Sequence, residues 1–118
     1  MLINECTGAV LARQVRVRRT LWERSTGLMF RRRIDPEEAM VFCLPRSGIR
    51  EAGVHMLFVP FSIGLFWLDE GCQVVGKMLA QPWRSGYQPG TRARYVIEAH
   101  PSRFEMVRIG DRLRWGEG

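Results

Sequence analysis

The alternation of apolar and polar positions predicts strands before any residue type is considered. In "QVRVR" (14–18), Val15 and Val17 face one way while Gln14, Arg16 and Arg18 face the other, the period of a half-buried strand. "ARYVIEA" (93–99) alternates again, with Tyr95 and Ile97 set against Arg94, Val96 and Glu98. "AMVFCLP" (39–45) reads as a short apolar strand, followed by a polar, glycine-punctuated loop, "RSGIREAG" (46–53). The densest stretch, "VHMLFVPFSIGLFWLD" (54–69), is the expected core, with Pro60 dividing or bulging the strand. Asp69-Glu70-Gly71 supplies a turn, and "CQVVGKMLA" (72–80) returns as its hairpin partner. "DRLRW" (111–115) is a last strand.

Two short helices are expected, near 21–33 and 103–109. Thr20-Leu-Trp-Glu23 has capping-box spacing, and Ser102 with Glu105 repeats it before a stop at Gly110. The pattern therefore predicts one mainly β domain over residues 1–118, a small compact barrel or sandwich with two short helices.

Composition changes this picture little, since 46% hydrophobic and 25% charged residues are usual for a globular domain. No apolar run approaches the roughly 20 residues a membrane-spanning helix needs, and the first residues lack the pattern of a signal peptide. A cytoplasmic protein with no membrane partner is expected. Three cysteines without C-x-x-C spacing disfavour a disulfide framework and a zinc site, and suggest buried or half-buried thiols.

The net charge of +6 is local, because Arg13 to Arg33 hold eight arginines and one acid, Glu23. Nonspecific nucleic-acid binding through Arg16, Arg18, Arg24 and Arg31 to Arg33 is one reading. Seventeen arginines against a single lysine, Lys77, indicate compositional bias rather than selection for phosphate contacts, so nucleic acid is disfavoured. Arg31, Arg32 and Arg33 would also match the negative end of the first helix.

Candidate chemistry falls into two groups. His55 and Glu98 are the weak acid–base candidates, each with an ordinary structural alternative: a hydrogen-bonded histidine beside the core, and a glutamate paired across the sheet. His100 has no spacing to His55 that suggests a ligand pair, so no metal and no cofactor is expected. Asp69 and Asp111 read as turn residues. The second group lies on the Pro/Gly-rich loop "QPWRSGYQPGTR" (81–92), where Trp83, Arg84 and Tyr87, with Arg31 from the first helix, can hold a compact anionic or polar ligand. Trp115, Arg92 and Arg94 extend the same group.

Taken in order, "GLMFR" after a capped helix start, Val54-His55, the turn "DEG" before "VV", "YVIEA" and "IGDRL" make the chain resemble the bacterial family called domain of unknown function 192. The similarity runs from about Val15 to Leu113. It implies a compact, mainly β fold and no assigned activity. The chain departs from the family pattern at Ile63-Gly64, where members read Ile-Asp, and at Met56, where a polar residue usually follows the histidine. Both departures weigh against an enzyme. The sequence thus points to an uncharacterised binding module, with an enzyme using His55 and Glu98, or weak nucleic-acid binding, as alternatives.

Overall fold

The computed structural model describes residues 1–19, 33–49, 52–53, 59–83 and 87–116. The expected helix at 21–33 and its Thr20 cap lie outside these, apart from Arg33. Among the described residues there are eight strands: β1 (Leu2–Asn4), β2 (Val10–Ala12), β3 (Gln14–Arg18), β4 (Glu38–Gly48), β5 (Ile63–Leu68), β6 (Val74–Ala80), β7 (Ala93–Ala99) and β8 (Leu113–Trp115). They form two sheets, a three-stranded one in the order β2-β1-β8 and a five-stranded one in the order β3-β4-β7-β5-β6. The mainly β expectation holds in its sandwich form. The described strands do not close into a barrel, because β3 and β6 end the larger sheet without meeting each other.

Every pairing in the larger sheet is antiparallel except β3 with β4, which run parallel in register from Gln14 opposite Glu38 to Arg18 opposite Phe42. Both faces of that sheet are covered. Val15, Ala39, Val41, Phe66, Leu68, Ile97 and Ala99 pack against Leu2, Leu11 and Leu113 of the smaller sheet. On the opposite face Met40, Phe42, Leu65, Trp67 and Val96 pack with Ile34, Ala52 and Val59 from the connecting segments. The indole N–H of Trp67 donates to the Ala52 carbonyl at 2.9 Å, so burying the ring leaves its polar atom satisfied.

The β5–β6 hairpin forms as its turn residues require. The Asp69 Oδ1 atom accepts from Gly71 N at 2.9 Å and Gln73 N at 3.0 Å, and Cys72 takes the left-handed conformation at φ 63°. Two boundaries differ from expectation. β4 runs on through Pro45 to Gly48, which the proline permits because the ladder to β7 is irregular between Cys43 and Gly48 and needs no N–H there. The helix expected at 103–109 is a 3-10 helix at Pro101–Met106. It starts earlier because His100, not Ser102, is its cap: the His100 Nδ1 atom accepts from Ser102 N at 3.1 Å, and Pro101 occupies the first helical position. Gly110, at φ 98°, serves the turn after the helix rather than ending it.

Cys43 and Cys72 are half-buried free thiols as expected, whereas Cys6 is exposed. Among the described residues no helix is long and apolar enough to cross a membrane.

Candidate functional site

β7 is the middle strand of the larger sheet, and its register sets Glu98 directly opposite Met40 on β4 and Leu65 on β5. Directly opposed residues share a face, so the carboxyl lies on the same side as Phe42, Trp67 and Val96. Only 8% of the residue is exposed. Burial in these surroundings disfavours the charged form and pushes the Glu98 carboxyl up to about 8, so it is neutral at physiological pH. The expected alternation placed Glu98 on a polar side with an arginine across from it. Its cross-strand neighbours are instead a methionine and a leucine, because that face is covered too.

A second carboxyl shares the face. Glu38 lies two residues before Met40 on β4 and is therefore a diagonal neighbour of Glu98, at the roughly 7–8 Å typical of that relation. It is also buried, but differently supported: Oε1 accepts from Asp35 N at 3.0 Å, and Oε2 lies 3.9 Å from Arg16 Nε. One acid thus accepts a backbone hydrogen bond beside a guanidinium, and the other is held neutral among apolar side chains. Divergent environments of this kind mark acid–base or ligand sites.

Of the loop group, Trp83, Tyr87, Arg92, Arg94 and Trp115 are among the described residues. Trp83 is 56% exposed, with its N–H donating to the Val59 carbonyl at 3.3 Å, while Tyr87 turns inward to the core and its hydroxyl accepts from Gln81 N at 2.9 Å. Arg92 donates to the Ser47 carbonyl at 3.2 Å, and Arg94 serves the Leu44 carbonyl and Glu70. Trp115 packs edge-on against Tyr95 at 5.1 Å. Tyr87 and Trp115 are both half-buried and pack against the core with their rings. Arg31, Arg84 and His55 lie outside the described residues. His100 is the helix cap already noted, and among the described residues no group of three or more His, Cys, Asp and Glu side chains can hold a metal ion.

Three residues that sequence reasoning passed over prove central. Glu38 was hidden in the turn-like "IDPEE", although an acid directly before an apolar strand was the available signal. Asn4 is wholly buried, with Nδ2 donating to Met106 O at 3.1 Å and Asp111 Oδ2 at 2.9 Å, while Oδ1 accepts from Cys6 N at 3.0 Å. The two groups its amide donates to are over 100 residues away, so nothing local announces them. Lys77 was noticed only as the odd lysine.

This two-sheet sandwich defines a class of small β domain found elsewhere. A solved protein of unknown function from Novosphingobium aromaticivorans shares the fold with a TM-score of 0.84 at 20% identity, over 97% of this chain and 82% of that one. Another, from Sinorhizobium meliloti and described as a candidate transcription regulator, gives 0.83 at 20% identity, over 96% and 88%. At the sequence level, a UPF0127 protein of Pyrococcus horikoshii is 34% identical over 117 residues, 98% of each chain. The family profile of DUF192, described as an uncharacterised conserved family, matches residues 2–115, and the chain belongs to that family. This is the family that the resemblance named; the Pyrococcus relative is archaeal, so its description as bacterial is not borne out.

Proposed function

We propose that the chain is a small binding module that holds a compact polar or anionic ligand against Glu98. One observation carries the reading: a carboxylic acid sits buried on the central strand between Met40 and Leu65. Burying a polar group without compensation costs roughly 1–3 kcal/mol in proteins. A neutral carboxyl offers one O–H donor and retains acceptor capacity, so it can meet a ligand carboxylate or phosphoryl oxygen without charge repulsion. Glu38, diagonal to Glu98, then biases the orientation of the ligand along the same face. The loop that carries Trp83 is tied to Val59, which packs in the same cluster as Met40 and Leu65, so it borders this face rather than forming a separate site.

The test is a thermal-shift and calorimetric panel of small carboxylates, phosphates and polar metabolites on the wild type, Glu98→Gln and Glu98→Leu. Binding should survive Glu98→Gln, which keeps a donor, and disappear in Glu98→Leu while the domain stays folded. A ligand that binds Glu98→Leu as well as wild type would overturn the reading. So would a panel without a hit together with a more stable Glu98→Leu.

The raised Glu98 also supports a second reading, because a carboxyl titrating near 8 is suited to general acid or base work at neutral pH. Turnover that loses or gains rate across pH 8 and vanishes in Glu98→Gln would select the enzyme over the binding module.

A further inference from the structure

β3 ends the larger sheet, and among the described residues no strand pairs with its outer edge. Gln14 N donates to Glu37 O at 2.8 Å. In a parallel ladder alternate residues turn both N–H and C=O to the same neighbour. Gln14, Arg16 and Arg18 therefore serve β4, and Val15 and Val17 turn their backbone groups outward. An open cleft of about 380 Å³ lies along this edge, lined by Arg13, Gln14, Val15 and Arg16, with Met1 and Gly116 bounding it beside β1 and β8. It occupies the gap where the two sheets fail to close.

The charge of the cleft is one-sided. Arg13 and Arg16 are three residues apart on an extended chain and so leave it on opposite faces. Their side chains are 74% and 54% exposed, and each approaches an acid through Nε, Arg13 to Glu37 at 3.4 Å and Arg16 to Glu38 at 3.9 Å. Residues 13–19 contain four arginines and no acid.

We propose that the outer edge of β3 is a docking site for an extended acidic peptide segment, which adds to the sheet with its backbone on Val15 and Val17 and its carboxylates beside Arg13 and Arg16. Strand addition of this kind draws affinity from main-chain hydrogen bonds and selectivity from alternating side chains. The edge presents carbonyl oxygens as well as N–H donors. A peptide satisfies both, whereas a phosphodiester or a lone anion would meet the carbonyls with repulsion. Pairing with β3 of a second copy would set arginine against arginine, which is destabilising. The site is separate from Glu98, which lies on a covered face two strands away.

Fluorescence polarisation at low salt tests this with a fluorescein-labelled peptide of alternating Glu and Val, its Lys–Val counterpart, and a version N-methylated on alternate residues. The Glu–Val peptide should bind and the Lys–Val peptide should not. N-methylation should weaken binding by about tenfold or more, since a net main-chain hydrogen bond is worth about 1 kcal/mol and several are lost. Arg13→Gln should weaken it roughly threefold to tenfold, as a rim charge does at low salt. Val17→Pro removes one outward N–H and is tolerated on an edge strand, so it should abolish binding with little change in the thermal midpoint. The Val15 and Val17 amides should gain protection from hydrogen exchange when peptide is present. Absence of Glu–Val binding would overturn the proposal, as would equal binding of the N-methylated peptide. A single-stranded oligonucleotide that binds where the peptide does not would assign the edge to nucleic acid instead.

Discussion

The Lys77 ammonium sits 4.1 Å from the centroid of the Phe104 ring and donates to the backbone carbonyls of Phe104 at 3.2 Å and Val107 at 2.8 Å. Phe104 in turn stacks on Phe66 at 6.3 Å, so one cation ties the 3-10 helix to β5 and β6. A compact ammonium can aim separate donors at two carbonyls and still lie over a ring. A planar guanidinium cannot do so from the same stem. This accounts for the one lysine in a chain that otherwise uses arginine. Lys77→Met should cost about 2 kcal/mol, the sum of lost charged hydrogen bonds and a cation–π contact. Lys77→Arg should recover less than half of that. Urea midpoints of the three proteins decide it, and full recovery by arginine would show that charge alone matters.

Glu98 should make stability fall as pH rises. Its folded value is about 8 against an ordinary 4.5, so between these values the unfolded chain has released a proton that the folded chain keeps. The stabilisation is complete below about pH 4.5 and is lost progressively up to pH 8, by an upper bound of roughly 5 kcal/mol. Asp111 acts in the opposite sense. The Arg108 N–H and then the Asn4 amide hold its carboxyl below the ordinary 3.8, so its contribution is present above that value and lost as pH falls through the lowered one. Chemical denaturation from pH 4 to 9 should show the decline in the wild type, and Glu98→Gln should flatten it.

Asn4→Asp would place a second carboxylate where the Asn4 amide now lies 2.9 Å from Asp111 Oδ2. Two carboxylates at that distance cannot both ionise without cost. The variant should be destabilised by about 3 kcal/mol or more at pH 7 and should recover part of the loss near pH 4. Asn4→Ala should show a loss without that recovery. Equal pH profiles for the two variants would place the cost in packing rather than charge.

Gly76 faces Trp67 directly across β5 and β6, and a Cβ there would lie 3.3 Å from the Trp67 Cε3 atom. The indole is pinned by its bond to Ala52 and cannot retreat. Gly76→Ala should therefore destabilise by about 1–2 kcal/mol, the range for overpacking, despite the usual benefit of removing a glycine from a strand. A rise in thermal midpoint would show that the ring gives way.

Local pattern was enough for what local forces decide. The alternation in 14–18 and 93–99 placed β3 and β7, and Asp69-Glu70-Gly71 placed the β5–β6 hairpin, because strand exposure and turn conformation depend on residues within a few positions of one another. The candidate site was legible only in part. Glu98 could be singled out as an ionisable group on a strand, but its neutrality depends on Met40 and Leu65, which come from strands far away in the chain. That the rings of Tyr87 and Trp115 pack against the core was not legible either, because the residues they meet come from elsewhere in the chain. Pairing order, the parallel β3–β4 contact that turns the backbone groups of Val15 and Val17 outward, and the partners of Asn4 and Lys77 were decided by tertiary structure alone. Those depend on which apolar faces meet across sequence separations that no local periodicity encodes.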